Sequence, residues 1–129
     1  MDKRESAFLK IFEAEFNRDI LTDETEESSA TNVASAVFEN LEIIDEQLKT
    51  GLKKWSINRI SRVAKAALRL CLYEISFKNV PRGASVNEAV KLTKKYAGEE
   101  EADFVNGVLR TIFKVKSSPN DTKSEEEQA

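Results

Sequence analysis

Between Ile57 and Ile75, apolar residues fall at helical spacing: Ile57, Ile60, Val63, Ala64, Ala67, Leu68, Cys71 and Ile75. Steps of three and four residues hold them on one face of a helix, whereas a strand would scatter them over both faces. The same period organises the flanks. Ala7, Phe8, Ile11, Phe12 and Phe16 predict a first helix from Lys3 to about Arg18. Val33, Val37, Phe38, Leu41, Ile44 and Leu48 predict one long second helix, capped by Ser28 or Ser29 and closed by Gly51.

Punctuation marks the remaining elements. Ser56 is the expected cap of the helix carrying the Ile57–Ile75 face, with Arg59, Arg62, Lys65 and Arg69 forming a basic stripe opposite it. Val80-Pro81-Arg82-Gly83 breaks the chain. Ser85 and Glu88 then have the spacing of a capping box. Val86, Ala89, Val90, Thr93, Tyr96 and Ala97 carry the next helix to Gly98. Phe104, Val105, Val108, Leu109, Ile112 and Phe113 carry the last one, and their period runs straight through Asn106-Gly107. A glycine inside a helix costs about 1 kcal/mol relative to alanine. The expected compensation at Gly107 is close approach of a neighbouring helix, with Asn106 bonding across it. The reading is all-α, about six to seven helices, in one domain over residues 1–116. A polar tail, 117–129, reads as disordered.

The chain contains no histidine and one cysteine, Cys71. Ser-His and Cys-His nucleophile pairs and the usual imidazole metal ligands are thereby excluded. No glycine-rich phosphate loop is present, and the carboxylates fall mostly in runs such as Asp23–Glu27 and Glu99–Asp103 that read as solvated surface. A non-enzyme with no cofactor and no metal is expected. Lacking an export signal or an apolar run of about 18 residues, the chain is expected to be soluble and cytoplasmic, with no membrane association.

A net charge of −3 conceals a division. Residues 13–50 hold eleven acidic side chains against two basic ones, and residues 52–95 hold eleven basic against two acidic. Two arrangements satisfy this pattern. Either an acidic helix lies against basic ones, or the basic segment faces a phosphate-bearing partner. For the Arg59–Arg69 stripe, a solvated face is the default and contact with an acidic partner the alternative.

Some residues exceed what a helical core requires. They are Trp55 with Arg59, Leu68-Arg69 before Tyr73-Glu74-Ile75, Val80-Pro81, Val86-Asn87-Glu88-Ala89-Val90, and Phe104-Val105-Asn106-Gly107-Val108-Leu109. Singly each is weak, but their order without a large insertion strongly resembles the NusB family. The resemblance implies a fold of two packed helical bundles, about 1–51 and 52–116. It also implies a role: pairing with NusE, a small-subunit ribosomal protein, to bind boxA RNA. The complex joins the RNA polymerase elongation complex with other Nus factors and favours ribosomal RNA transcription. The resemblance leaves a homodimer open as a further association.

The resemblance also implies site residues. The family's arginine-rich first helix corresponds here to Lys3, Arg4 and Lys10, a depleted set, so weaker and less salt-dependent RNA binding is expected. The helix N-terminus itself offers backbone donors to phosphate. Phe12 stands where relatives often have tyrosine, at the RNA and partner surface, although its place in the apolar stripe fits a core role equally well. Phe104 corresponds to the RNA path. Glu74 corresponds to the surface shared by RNA and NusE, while its local alternative is an ion pair with Lys78. A helical adaptor that works through protein contacts with little RNA binding is the competing reading.

Overall fold

The computed structural model describes residues 2–22, 28–53 and 56–114 of the 129-residue chain. Trp55, most of the acidic loop and the polar tail lie outside the described residues. Six α-helices occur among those described: α1 (Lys3–Phe16), α2 (Ser29–Glu39), α3 (Leu41–Leu52), α4 (Arg62–Phe77), α5 (Arg82–Ala97) and α6 (Glu99–Lys114). Short 3-10 turns, Arg18–Leu21 and Ile57–Arg59, precede α2 and α4. No strand is found among the described residues.

The all-α expectation holds, and several boundaries move. The long second helix is two helices, because Asn40 leaves helical geometry at φ −106°, ψ 20° and bonds its side-chain amide back to the Ala36 carbonyl. Gly51 does not close α3; it lies inside it, where an added Cβ would stand 2.6 Å from Ile112 Cγ1 and 2.7 Å from the Val108 carbonyl oxygen. Close helix approach thus falls at Gly51 rather than at Gly107, which faces open space. Among the described residues no side-chain hydrogen bond ties Asn106 to another helix. Ser56 precedes only the 3-10 turn and caps nothing with its side chain, whereas Ser61 accepts from the Ala64 N–H and starts α4. The proposed capping box is also absent. Pro81 occupies the cap position of α5, which places Ser85 within the helix.

The central element is α4. Every residue from Ala64 to Tyr73 is buried, and the helix touches each of the other five. Around it close Phe8 and Ile11 of α1, Ile44 and Leu48 of α3, and Leu109 and Ile112 of α6, all of them fully enclosed. A stretch wrapped on every side has no solvent face, so the polar residues within it must find partners in the protein.

Lys65 and Arg69 do so. Arg69 Nε and Nη2 grip Asp45 of α3 at 3.1 and 2.9 Å, and its Nη1 donates to Glu15 of α1 at 3.0 Å. Lys65 donates to the other Glu15 oxygen at 2.9 Å. Of the expected solvated stripe, Lys65 and Arg69 are therefore interior, and internal charge complementarity accounts for them. Arg62 lies over the Phe16 ring at 4.4 Å, and Arg59 belongs to the 3-10 turn. Burial raises the Glu15 carboxyl pKa, but the Lys65 hydrogen bond and the Arg69 charge outweigh it and leave the group below its ordinary value of 4.5.

Candidate functional site

Helices α1 and α4 run antiparallel, since Glu15 meets Lys65 and Arg69 at one end while Arg4 meets Glu74 at the other. This second end gathers the polar residues of the site. Helix α4 stops just beyond Glu74 because Asn79 adopts φ +54°, a left-handed conformation that asparagine tolerates. The N–H groups of Lys78 and Val80 both return to the Glu74 carbonyl. The chain turns at once into α5, bringing Ser85 and Glu88 back beside Glu74 and Arg4.

Glu74 is held from two sides. From outside, Arg4 Nε donates to both carboxylate oxygens, at 3.2 and 2.9 Å. From inside, the hydroxyl of Ser85, itself 1% exposed, donates to Glu74 Oε1 at 2.8 Å. The local Glu74–Lys78 pair is thus replaced by a tertiary one. Arg4 has a second anionic neighbour, with Nη1 3.9 Å from Glu88, which Lys91 also approaches at 3.7 Å. Beneath them, burial pushes the Cys71 thiol up to about 12, which leaves it protonated and unreactive at neutral pH.

The neighbouring turn of α1 is engaged as well. Glu5 is buried and accepts from Lys95 at 2.6 Å and from the Tyr96 hydroxyl, both on α5. The Lys95 hydrogen bond, followed by that of Tyr96, holds the Glu5 carboxyl below its ordinary range; the same bonds raise Lys95 and Tyr96. Asp2 caps α1 by accepting from the Glu5 N–H at 2.7 Å. The expectation of an open anion-binding helix N-terminus needs correction, because a carboxylate already occupies it.

The expected site residues are partly brought together. Arg4 and Glu74 touch. Lys3 is exposed and Lys10 half-buried on the same helix. Phe12 is half-buried against the core, with its ring edge-on to Phe16 at 5.2 Å. Phe104 lies apart, in an open groove of about 420 Å³ between α3 and α6 lined by Gly51, Leu52, Lys53, Gly107, Val108 and Thr111 among others. Ser85, Glu88, Glu5, Lys95 and Tyr96 were not singled out as site residues by the sequence. A signal for Ser85 existed: Glu74 and Ser85 stand equally far from the Asn79–Val80 turn, where antiparallel helices pair residues across.

Known proteins with similar sequences and structures point one way. A Clostridium botulinum transcription antitermination protein NusB is 50% identical over 78 residues, covering 60% of this chain and 54% of the relative, so that match spans about half of the relative's length. The Clostridium acetobutylicum protein of the same name is 37% identical over 123 residues, covering 85% of this chain and 91% of the relative. Among solved structures, T. maritima NusB superimposes with a TM-score of 0.74 at 31% identity, covering 96% of this chain and 98% of that one. A crystal structure of antitermination factors NusB and NusE with double-stranded RNA matches at 0.71 and 27% identity, covering 88% and 94%. The NusB family model matches residues 1–114, and this chain belongs to the NusB family.

Proposed function

We propose that this protein is a transcription antitermination factor that binds boxA-type single-stranded RNA together with NusE and joins the elongating RNA polymerase complex, promoting ribosomal RNA transcription. The observation that carries this reading is the likeness, over 88% of the chain, to a NusB crystallised with NusE and RNA. The role is binding, with no chemical step. Lys3, Arg4 and Lys10 supply phosphate contacts, Phe12 and Phe104 supply aromatic surface for bases, and Glu74 with Phe12 meets the protein partner.

Anisotropy of a labelled boxA RNA against a scrambled RNA, each with and without NusE, tests the reading. Preference for boxA that NusE strengthens is the expected result. Equal affinity for both RNAs in all four conditions overturns it.

One observation favours a second reading, a helical adaptor with little RNA binding of its own. Arg4 is already neutralised by Glu74 and Glu88, and Asp2 occupies the α1 N-terminus. A pull-down in which NusE is retained firmly while boxA RNA adds nothing would select the adaptor.

A further inference from the structure

We propose that the Arg4–Glu74 pair is a latch that withholds Arg4 from RNA until a basic side chain of the protein partner takes over Glu74. The inference rests on the functional reading above and adds to it how partner and RNA binding are coupled within this chain.

The two halves of the pair are not equivalent. Glu74 is the inner member, its side chain 13% exposed and anchored by the buried Ser85 hydroxyl. Arg4 is the outer member, 28% exposed, and reaches Glu74 from the first turn of α1. With Glu88 beside it, one guanidinium faces two carboxylates. A phosphate approaching Arg4 therefore meets a guanidinium whose charge is offset by the carboxylates beside it, and the arginine that should attract RNA is screened by its own protein. Glu74 conversely offers a fixed carboxylate to any cation that displaces Arg4, and a lysine or arginine of a protein partner has the required chemistry.

Exchange then works in both directions. When a partner cation takes Glu74, Arg4 is released to a phosphate, and one internal ion pair is replaced by two intermolecular ones. Each ligand removes part of the cost of the other's binding, so the coupling is positive and reciprocal. The pair is open enough to exchange because its cation, Arg4, is 28% exposed, whereas Arg69 is 6% exposed between two carboxylates on other helices.

The test is a cycle of variants in the full chain, titrated with labelled boxA RNA at two salt concentrations, with and without NusE. Glu74→Gln keeps the shape and removes the charge. The latch predicts that it tightens RNA binding in the absence of NusE several-fold and steepens the slope of log K against log salt by about 0.7, one phosphate contact on a single strand. It further predicts that the gain produced by NusE shrinks by the same factor. In an Arg4→Gln background Glu74→Gln should change none of these. Equal tightening in that background would mean general repulsion rather than a latch, and weakened RNA binding by Glu74→Gln would mean a direct RNA contact; either result overturns the proposal. Should Glu74→Gln lose helical content, Glu88→Gln on the surface takes its place, with a smaller effect of the same sign that again requires Arg4. Wild-type protein that shows no boxA preference even with NusE overturns the functional reading and the latch together. BoxA-specific binding whose coupling is untouched by Glu74→Gln overturns the latch alone.

Discussion

Two arginine–carboxylate clusters join the same pair of helices, and they are near mirror images. At one end α4 supplies the cation, Arg69, and α1 the carboxylate, Glu15; at the other α1 supplies Arg4 and α4 supplies Glu74. Their chemistry matches but their surroundings do not. Arg69 has all its gripping atoms inside the bundle, on Glu15 and Asp45, whereas Arg4 lies over the edge of α5 with water within reach. A buried pair cannot be traded for another partner without stranding a charge, while a part-exposed pair can. Burial, more than residue type, separates a structural arginine from an available one.

The largest test of that contrast is Arg69→Met. It removes a guanidinium that is 6% exposed and leaves the part-exposed Asp45 carboxylate without its partner, and should cost about 3 kcal/mol in urea unfolding. Arg4→Gln should cost less than about 1 kcal/mol. Comparable losses for the two variants would dissolve the distinction.

The glycines extend it from charge to packing. Gly51→Ala forces a Cβ against Ile112 and the Val108 backbone and should destabilise by about 1–3 kcal/mol. Gly107→Ala meets open space in the middle of α6 and should stabilise by about 1 kcal/mol. If Gly107→Ala weakens boxA binding while raising stability, the groove beside Phe104 is part of the RNA path.

The smallest effect is in acid. Glu5 and Glu15 both have folded pKa values below the ordinary 4.5. A depressed folded pKa means that the unfolded chain binds protons first, so the contribution is complete above 4.5 and is lost as pH falls through the folded values. Stability measured by denaturant should therefore be level above that point and decline below it. Glu15→Gln should show a shallower decline over the same window. Lys95, whose folded pKa is raised above 10.5, has the opposite sense: its contribution is complete below that value and fades as pH rises through the folded one.

The helical segments were legible from periodicity, because a 3.6-residue repeat is local and needs no knowledge of neighbours, whereas several of their limits were not. The Asn40 break was not, since Val37, Phe38, Leu41 and Ile44 keep the period across it. Ser85 looked like a cap because a Ser-x-x-Glu spacing carries no information about where the preceding proline lets a helix begin. Arg4 and Glu74 were legible as site residues only through family likeness. That they would meet each other, seventy positions apart, was not legible at all.

By itself the sequence determined an all-helical chain, the order of its motifs and the family to which it belongs. Tertiary structure alone decided what each charge does. A polar stripe is solvent-facing only if nothing packs on it, and α4 is packed on every side from Ala64 to Tyr73, so Lys65 and Arg69 became interior ion pairs. Arg4, in the first turn of α1, remained within reach of water. The reason is that hydrophobic periodicity is written along one helix, whereas the partner of a charge is set by which helix lies across from it.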